Sequence, residues 1–264
     1  MKNIKEYVNY QKEAICELLI KYEEIPSFLI LQVGDVEASN RYVRNKMKDC
    51  EEVGIHPILE KFNDDCSEED LINKIVYYNT NPIKGYKLSG IMLQLPIPEH
   101  LNLDKIIDVI PSELDVDGFK KDSICKPCTP KGIIDYLDYC NFDFEGKNAV
   151  VIGRSNIVGK PIAKMLLDRN CKVTICHSKT KDLSKYLSYA DLVIVAAGKR
   201  GVMNSQEALL AKIVDVGINF ENGKLCGDVI VDHIDKDRVT PVPGGVGLLT
   251  RLALLENIVS VFLK

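Results

Sequence analysis

The 264-residue chain lacks most of the features that mark a membrane, nucleic-acid or metal-binding protein. No run of about 18 uninterrupted apolar residues offers a membrane span. The opening MKNIKEYVNYQKEAICELLIKY is charged throughout and has no apolar signal core, so a cytoplasmic location is expected. The net charge of −4 and the absence of a basic run with interleaved aromatics predict no nucleic-acid partner. The four histidines (His56, His100, His177, His233) are scattered, and none sits in an H-E-x-x-H pattern. The nine cysteines are odd in number and irregular in spacing. Their only C-x-x-C, Cys125–Cys128, has no second pair to complete a zinc site, so reduced and mostly buried thiols are expected, with no metal. Internal repeats and low-complexity linkers are also missing.

What is present is ordinary for a soluble globular protein: 46% hydrophobic and 27% charged residues, in a chain long enough for one large or two smaller domains. Strand-like and helix-like segments alternate. Residues 4–21, 39–53 and 67–78 read as helices, the second closed by Gly54 as a C-cap. Ser27–Val33, Ile55–Leu59 and Gly90–Leu95 read as strands, the last ended by Pro96 and Pro98. Ala149–Ile152, Lys172–Cys176, Asp191–Ala196 and Lys212–Val216 add four more in the second half. This alternation predicts an α/β fold of two domains, each with a mostly parallel sheet flanked by helices. The boundary is expected in the Gly- and Pro-punctuated stretch Asp117–Pro130. The first domain would take residues 1–120 and the second, Rossmann-like, residues 121–247. A C-terminal helix over 248–264 would return to the first.

Val150–Thr180 is the most informative stretch. An apolar β-branched run ends in Gly153, a polar turn follows, then a helical pattern, then the β-rich KVTIC. Such a unit sets a phosphate on a helix N-terminus. The generic G-x-G-x-x-G rule fails, because Ser155 stands at the second glycine and the next glycine is Gly159. The physics survives: Gly153 allows the sharp turn, Ser155 and the following N–H groups can face a pyrophosphate, and Gly159 lets the helix approach the strand. A glycine turn that binds nothing is the plain alternative. An NAD-selective site places an acid about 20 residues past the first glycine, on the ribose 2′-hydroxyl. Here Cys176–Thr180 carries no acid, and Arg154, Ser178 and Lys179 suit a 2′-phosphate, which favours NADP.

The first half holds a second constellation. Tyr42 and Lys46 are four apart and share a helix face beside the apolar stripe Val43, Met47, Cys50 and Val53. A tyrosine and a lysine on a helix are more often plain surface residues. Gln94 is less ordinary, since it interrupts an apolar strand near its carboxyl end, where open α/β sheets bind ligands. DVDG (115–118) reads as a polar turn and PVPGGVG (241–247) as a rigid-then-flexible loop whose backbone can approach a ligand.

YVRNK (42–46), GIMLQLPIP (90–98), DVDG, PCTPKG (127–132), GRSNIVGKP (153–161), CHSKT (176–180), DVGIN (215–219), GDV (227–229) and PVPGGVG together resemble the bifunctional methylenetetrahydrofolate dehydrogenase/methenyltetrahydrofolate cyclohydrolase family. The resemblance runs from about Leu29 to the C-terminus, and the order and spacing make it specific. It implies oxidation of 5,10-methylenetetrahydrofolate with NADP, then hydrolysis of the 5,10-methenyl cation to 10-formyltetrahydrofolate. It also implies that Lys46 is the central catalytic group, with Gln94 tuning it and Tyr42 lining the folate. Asp117 would grip the pterin edge, with Gly244 and Gly245 also on the substrate. Cofactor contacts are implied for Thr129, Gly153, Arg154, Ser155, Ser178, Ile218 and Gly245, and a homodimer for the assembly.

Two departures stand out. Leu248 replaces the proline that usually follows PVPGGVG, which is expected to loosen that loop, and the N-terminal lead lacks a Gly-Lys element. Three other readings compete: an enzyme keeping only one of the two activities, a folate- or nucleotide-binding regulator without catalysis, and a Rossmann dehydrogenase for another small substrate. The Lys46–Gln94 pair argues against the second, and YVRNK with PVPGGVG against the third.

Overall fold

The computed structural model spans residues 1–264, of which 1–231 and 237–264 are described here; His233 lies outside the described residues. The chain divides into two compact units. The first comprises Asn9–Cys128 with Arg251–Lys264, and the second Met1–Val8 with Thr129–Thr250.

Helix α1 (Ile4–Leu19) opens the chain and is followed by β1 (Ile25–Val33), α2 (Glu37–Val53), β2 (His56–Phe62), α3 (Glu68–Thr80), β3 (Tyr86–Gln94) and α4 (Leu103–Val109). The three strands form a parallel sheet in the order β2-β1-β3. Its centre is apolar: Phe28 through Leu31 are fully buried, as is Ile91. β2 runs three residues beyond the expected Leu59, because an edge strand half-exposed along its length carries Glu60 and Lys61 and hides from an apolar pattern. Gly54 adopts φ +85 and its N–H bonds back into α2, as a left-handed C-cap should. Ser67 and Asp70 close a capping box at the start of α3.

The second unit holds most of α5 (Cys128–Tyr139), then β4 (Asn148–Ile152), α6 (Gly159–Leu167), β5 (Lys172–Cys176), α7 (Ser184–Leu187), β6 (Leu192–Val195), β7 (Met203–Asn204), β8 (Lys212–Asp215), β9 (Asn219–Glu221), β10 (Lys224–Cys226) and β11 (Val229–Ile230). A parallel sheet β5-β4-β6-β8 forms its frame. β9 and β10 pair as a hairpin across Asn222-Gly223, both at positive φ as the tight hairpin turn requires.

The last helix, α8 (Val246–Phe262), has no polar stripe. Leu249, Leu252, Ala253, Leu254, Leu255 and Ile258 are all buried, the pattern of a helix enclosed on every side. From Arg251 onward it belongs to the first unit, the return expected from its sequence. There Ile258 lies where a Cβ on Gly90 would meet it at 3.3 Å, and Lys87 Nζ donates to the Phe262 carbonyl at 2.7 Å. Among the described residues no helix is long and apolar enough to cross a membrane.

Candidate active site

In the first unit, α2 and the carboxyl end of β3 bring the polar residues together. Val43, Cys50 and Val53 are buried and hold α2 against the sheet, which turns Lys46 inward. Its Nζ donates to Gln94 Oε1 at 3.0 Å and approaches Met92 Sδ at 3.3 Å. Met92 and Gln94 are two apart on a strand and therefore face the same way. Gln94 spends its amide hydrogen on the Leu95 carbonyl at 2.6 Å, so its oxygen must point at the lysine. Burial lowers the Lys46 pKa from its ordinary value; Asp117 and the thiols of Cys128 and Cys50 oppose this, and Arg251 adds to it. Tyr42, one turn earlier on α2, is 39% exposed and free to offer its ring to a ligand.

Asp117 sits on a turn fixed from several sides. Asp115, 2% exposed, accepts from the N–H groups of Gly118 (3.1 Å) and Lys120 (2.8 Å) and folds the DVDG turn. Gly118 has φ +71, and a Cβ there would lie 2.6 Å from the Pro127 nitrogen, so only glycine fits. Burial raises the Asp117 pKa, while Lys46 and the neighbouring Cys128 thiol pull it down. Burial also drives the Cys128 thiol well above its ordinary range, with Asp117 adding to the effect, so the sulfur stays protonated and can donate. The result is a half-buried amine and a half-buried carboxyl, each destabilised in its charged form, at the end of one sheet.

In the second unit the predicted dinucleotide contacts gather at the carboxyl ends of the strands. Gly153 follows β4 with φ +127, and a Cβ on it would lie 2.2 Å from the Ala196 carbonyl oxygen. A Cβ on Gly159 would lie 2.4 Å from the Gly153 oxygen. Both glycines are thus required by close backbone approach. Ser155 Oγ accepts from the N–H groups of Val158 and Gly159, each at 3.2 Å, and so caps α6 itself while keeping its own hydrogen to donate. Arg154 is exposed and forms no ion pair among the described residues. Ser178 and Lys179 are exposed after β5, where His177 Nδ1 and Thr180 Oγ1 accept backbone N–H groups and shape the loop. A capped helix start, a glycine cradle, an unpaired arginine and no carboxylate in CHSKT fit a dinucleotide bearing a 2′-phosphate. Ile218, after β8, is 51% exposed. Thr129 Oγ1 shares a hydrogen bond with Thr250 Oγ1 at 2.9 Å. Gly244 has φ +96, and a Cβ on Gly245 would lie 2.2 Å from the Pro241 oxygen.

Comparison with known proteins assigns both halves. The catalytic-domain model of tetrahydrofolate dehydrogenase/cyclohydrolase matches residues 1–117, and its NAD(P)-binding-domain model matches 127–264. The chain belongs to the tetrahydrofolate dehydrogenase/cyclohydrolase family. It is 44% identical over 245 residues to the bifunctional protein FolD of Polaromonas naphthalenivorans, covering 88% of this chain and 86% of the relative. Its structure is similar to the bifunctional methylenetetrahydrofolate dehydrogenase/cyclohydrolase FolD of Campylobacter jejuni, with a TM-score of 0.87, 38% identity and coverage of 98% and 96%. The Trypanosoma brucei FolD, solved with NADP cofactor and inhibitor, gives a TM-score of 0.89 at 26% identity, covering 99% of this chain and 96% of that one.

Within this tetrahydrofolate dehydrogenase/cyclohydrolase, some supporting residues escaped the sequence reading. Cys128 passed as an ordinary thiol, and Asn257 was one polar letter in LALLENIVSVF. Asn257, 3% exposed on α8, donates to the Val116 carbonyl at 2.8 Å and the Lys126 carbonyl at 3.0 Å, and so clamps the chain on either side of Asp117 and Gly118. An amide inside an apolar helix is the signal that could have found it, since a buried polar group needs partners. Replacing Asn257 with leucine takes the amide donor from the Lys126 carbonyl and leaves the Val116 carbonyl with the weaker Cys128 thiol, at a cost of about 1–3 kcal/mol. A thermal melt should fall by roughly 2–4 °C for each kcal/mol in a chain of this size. An unchanged melting temperature would show that the clamp carries no weight.

The Leu248 departure works against expectation. The Leu248 N–H donates to the Gly245 carbonyl at 2.9 Å, a bond for which proline has no hydrogen, so the replacement adds a tie to the glycine turn.

Proposed function

We propose that the protein oxidises 5,10-methylenetetrahydrofolate with NADP to the 5,10-methenyl cation and hydrolyses that cation to 10-formyltetrahydrofolate. The observation that carries this reading is the Lys46 amine fixed by Gln94 beside Asp117, in a chain whose relatives are named for both activities. NADP supplies the hydride acceptor when bound. The remaining work belongs to the chain. Arg154 and Ser178 hold the 2′-phosphate, and Ser155 with the start of α6 offsets the pyrophosphate charge. Gly153, Thr129, Ile218 and Gly245 complete the cofactor contacts. Tyr42 lies on the folate ring, with Gly244 and Gly245 against the substrate. Asp117 accepts hydrogen bonds from the paired N–H groups of the pterin edge. Lys46 takes a proton as water adds to the methenyl carbon, and opening of the ring leaves the formyl group on one nitrogen and a proton released. The lowered Lys46 pKa serves this, and a cationic substrate beside it lowers the pKa further.

The reading extends to a homodimer, which the family resemblance implies and light scattering of the purified protein checks, and to a cytoplasmic location, expected from the charged opening of the sequence. For the cofactor, absorbance of the reduced nicotinamide reports turnover with methylenetetrahydrofolate. One charged hydrogen bond contributes about 1.5–3 kcal/mol, so kcat/KM with NADP should exceed that with NAD by at least about tenfold. Equal rates would remove the role given to Arg154 and Ser178. No turnover with either cofactor would remove the dehydrogenase.

A further inference from the structure

DVGIN and GDV contribute two aspartates that the proposed reaction leaves unused. Asp215 ends β8 and is 2% exposed; Asp228 precedes β11 and is 0% exposed. Neither forms an ion pair among the described residues. Both are instead saturated by N–H donors. Asp215 Oδ1 accepts from Gly217 N at 3.0 Å and Asp228 N at 2.9 Å, and its Oδ2 from Val229 N at 3.0 Å. Asp228 Oδ2 accepts from Ala197 N and Gly198 N, both at 2.8 Å, and its Oδ1 from Asn219 Nδ2 at 2.8 Å. The neighbouring glycines make room for these carboxylates. A Cβ on Gly217 would lie 2.2 Å from Asp228 Oδ1, and one on Gly227 would lie 1.9 Å from Asp215 Oδ2.

The bonds run in series towards the glycine turn. Asp215 fixes the backbone of Asp228. The Asp228 carboxylate fixes the Ala197–Gly198 turn after β6 and the Asn219 side chain beside Ile218 after β8. The Ala196 carbonyl, one residue before that turn, is the group that leaves Gly153 no room for a side chain. In the sheet order β5-β4-β6-β8, Arg154 and Ser178 leave from β4 and β5. The loops that Asp228 holds leave from the other two strands, so they face the opposite half of a ligand lying across the carboxyl ends.

We propose that Asp228 is a positioning residue for the nicotinamide half of the dinucleotide: it touches no ligand, and fixes the two loops after β6 and β8 on which that half lies. The inference rests on the NADP reading above. Asparagine in its place removes the negative charge that strengthens all three bonds, and presents an amide NH2 that Asn219 can meet only by turning its own amide over.

The test titrates NADP and, separately, NAD into the parent protein, Asp228→Asn and Asn219→Ala by calorimetry, with a folate titration and a thermal melt of each. Asp228→Asn should weaken NADP and NAD alike by about tenfold or more, leaving their ratio and the folate affinity within about twofold of the parent. Asn219→Ala, which removes one of the three bonds and leaves the carboxylate, should weaken both dinucleotides by several-fold and carries the test should Asp228→Asn fail to fold. Normal binding of both dinucleotides by the folded variants overturns the proposal. So does loss of NADP alone, which would put the effect at the 2′-phosphate, and so does an equal loss of folate and dinucleotide with a lowered melt, which would make Asp228 a general scaffold residue. A parent protein that binds neither dinucleotide overturns the NADP reading and this inference with it, a result distinct from normal binding in parent and variants.

Discussion

Lys46→Met lowers hydrolysis of methenyltetrahydrofolate by at least about a hundredfold, the lower range for losing a positioned acid–base group. Methionine keeps the apolar stem that packs along α2 and removes only the amine that Gln94 Oε1 accepts from. Folate binding therefore survives better than turnover, and a titration beside the rate assay separates the two. The pH dependence carries a further signature. The amine must be neutral to take a proton from water, so the rate rises with pH through the Lys46 pKa, and burial sets that rise below the ordinary lysine range. Asp117 favours the charged amine, so Asp117→Asn moves the rise to lower pH still. A Lys46→Met protein that hydrolyses at near the parent rate would return Lys46 to the surface residues.

Asp117→Ala weakens folate binding by roughly tenfold to over a hundredfold, because a charged hydrogen-bonding partner is worth about 1.5–3 kcal/mol and the buried donors left behind cost more. NADP binding, which depends on residues of the other unit, stays within about twofold. The contrast matters more than either value. The turn around Asp117 is held independently of its side chain, through Asp115, Gly118 and Asn257, so removal of the carboxylate leaves the loop in place. Calorimetric titration of each ligand into the variant reads the result. Normal folate affinity, or equal loss of both ligands, would exclude the anchoring role.

The central strands β1, β4 and β6 were legible because they are buried on both faces and read as unbroken apolar runs, and the half-exposed edge strand β5 because of its β-branched residues. Lys172–Cys176 was located to the residue, and Asn148–Ile152 and Leu192–Val195 to within one at each end. Elements outside that regime were missed. Helix α5 begins with Cys-Thr-Pro-Lys-Gly, which reads as a loop, yet Pro130 sits harmlessly in its first turn and Gly132 lets the Leu249 backbone come close. The β9–β10 hairpin was announced by Asn222-Gly223, but its three-residue arms are too short to show alternation. In the site, the residue types and their order pointed to Lys46, Gln94 and Asp117, because those side chains are out of place in their surroundings. The groups that hold them were not legible. Asp115, Cys128 and Asn257 act through backbone carbonyls and N–H groups, some of them brought together from distant parts of the chain. No local pattern records which carbonyl a buried asparagine will meet.

The split membership of α8 also fixes an order of assembly during synthesis. The first unit takes its final element from Arg251–Lys264, which supplies Asn257 to the Asp117 turn, Ile258 against Gly90 and the Phe262 carbonyl to Lys87. They follow every strand of both units in the sequence. The unit whose strands emerge first therefore has an open core face until Arg251–Lys264 has been added, while β4, β5, β6 and β8, made later, already have their partners in their own sheet. The part of the protein translated first is the part completed last, and a nascent chain stalled before Arg251 lacks the clamp on its own substrate-binding turn.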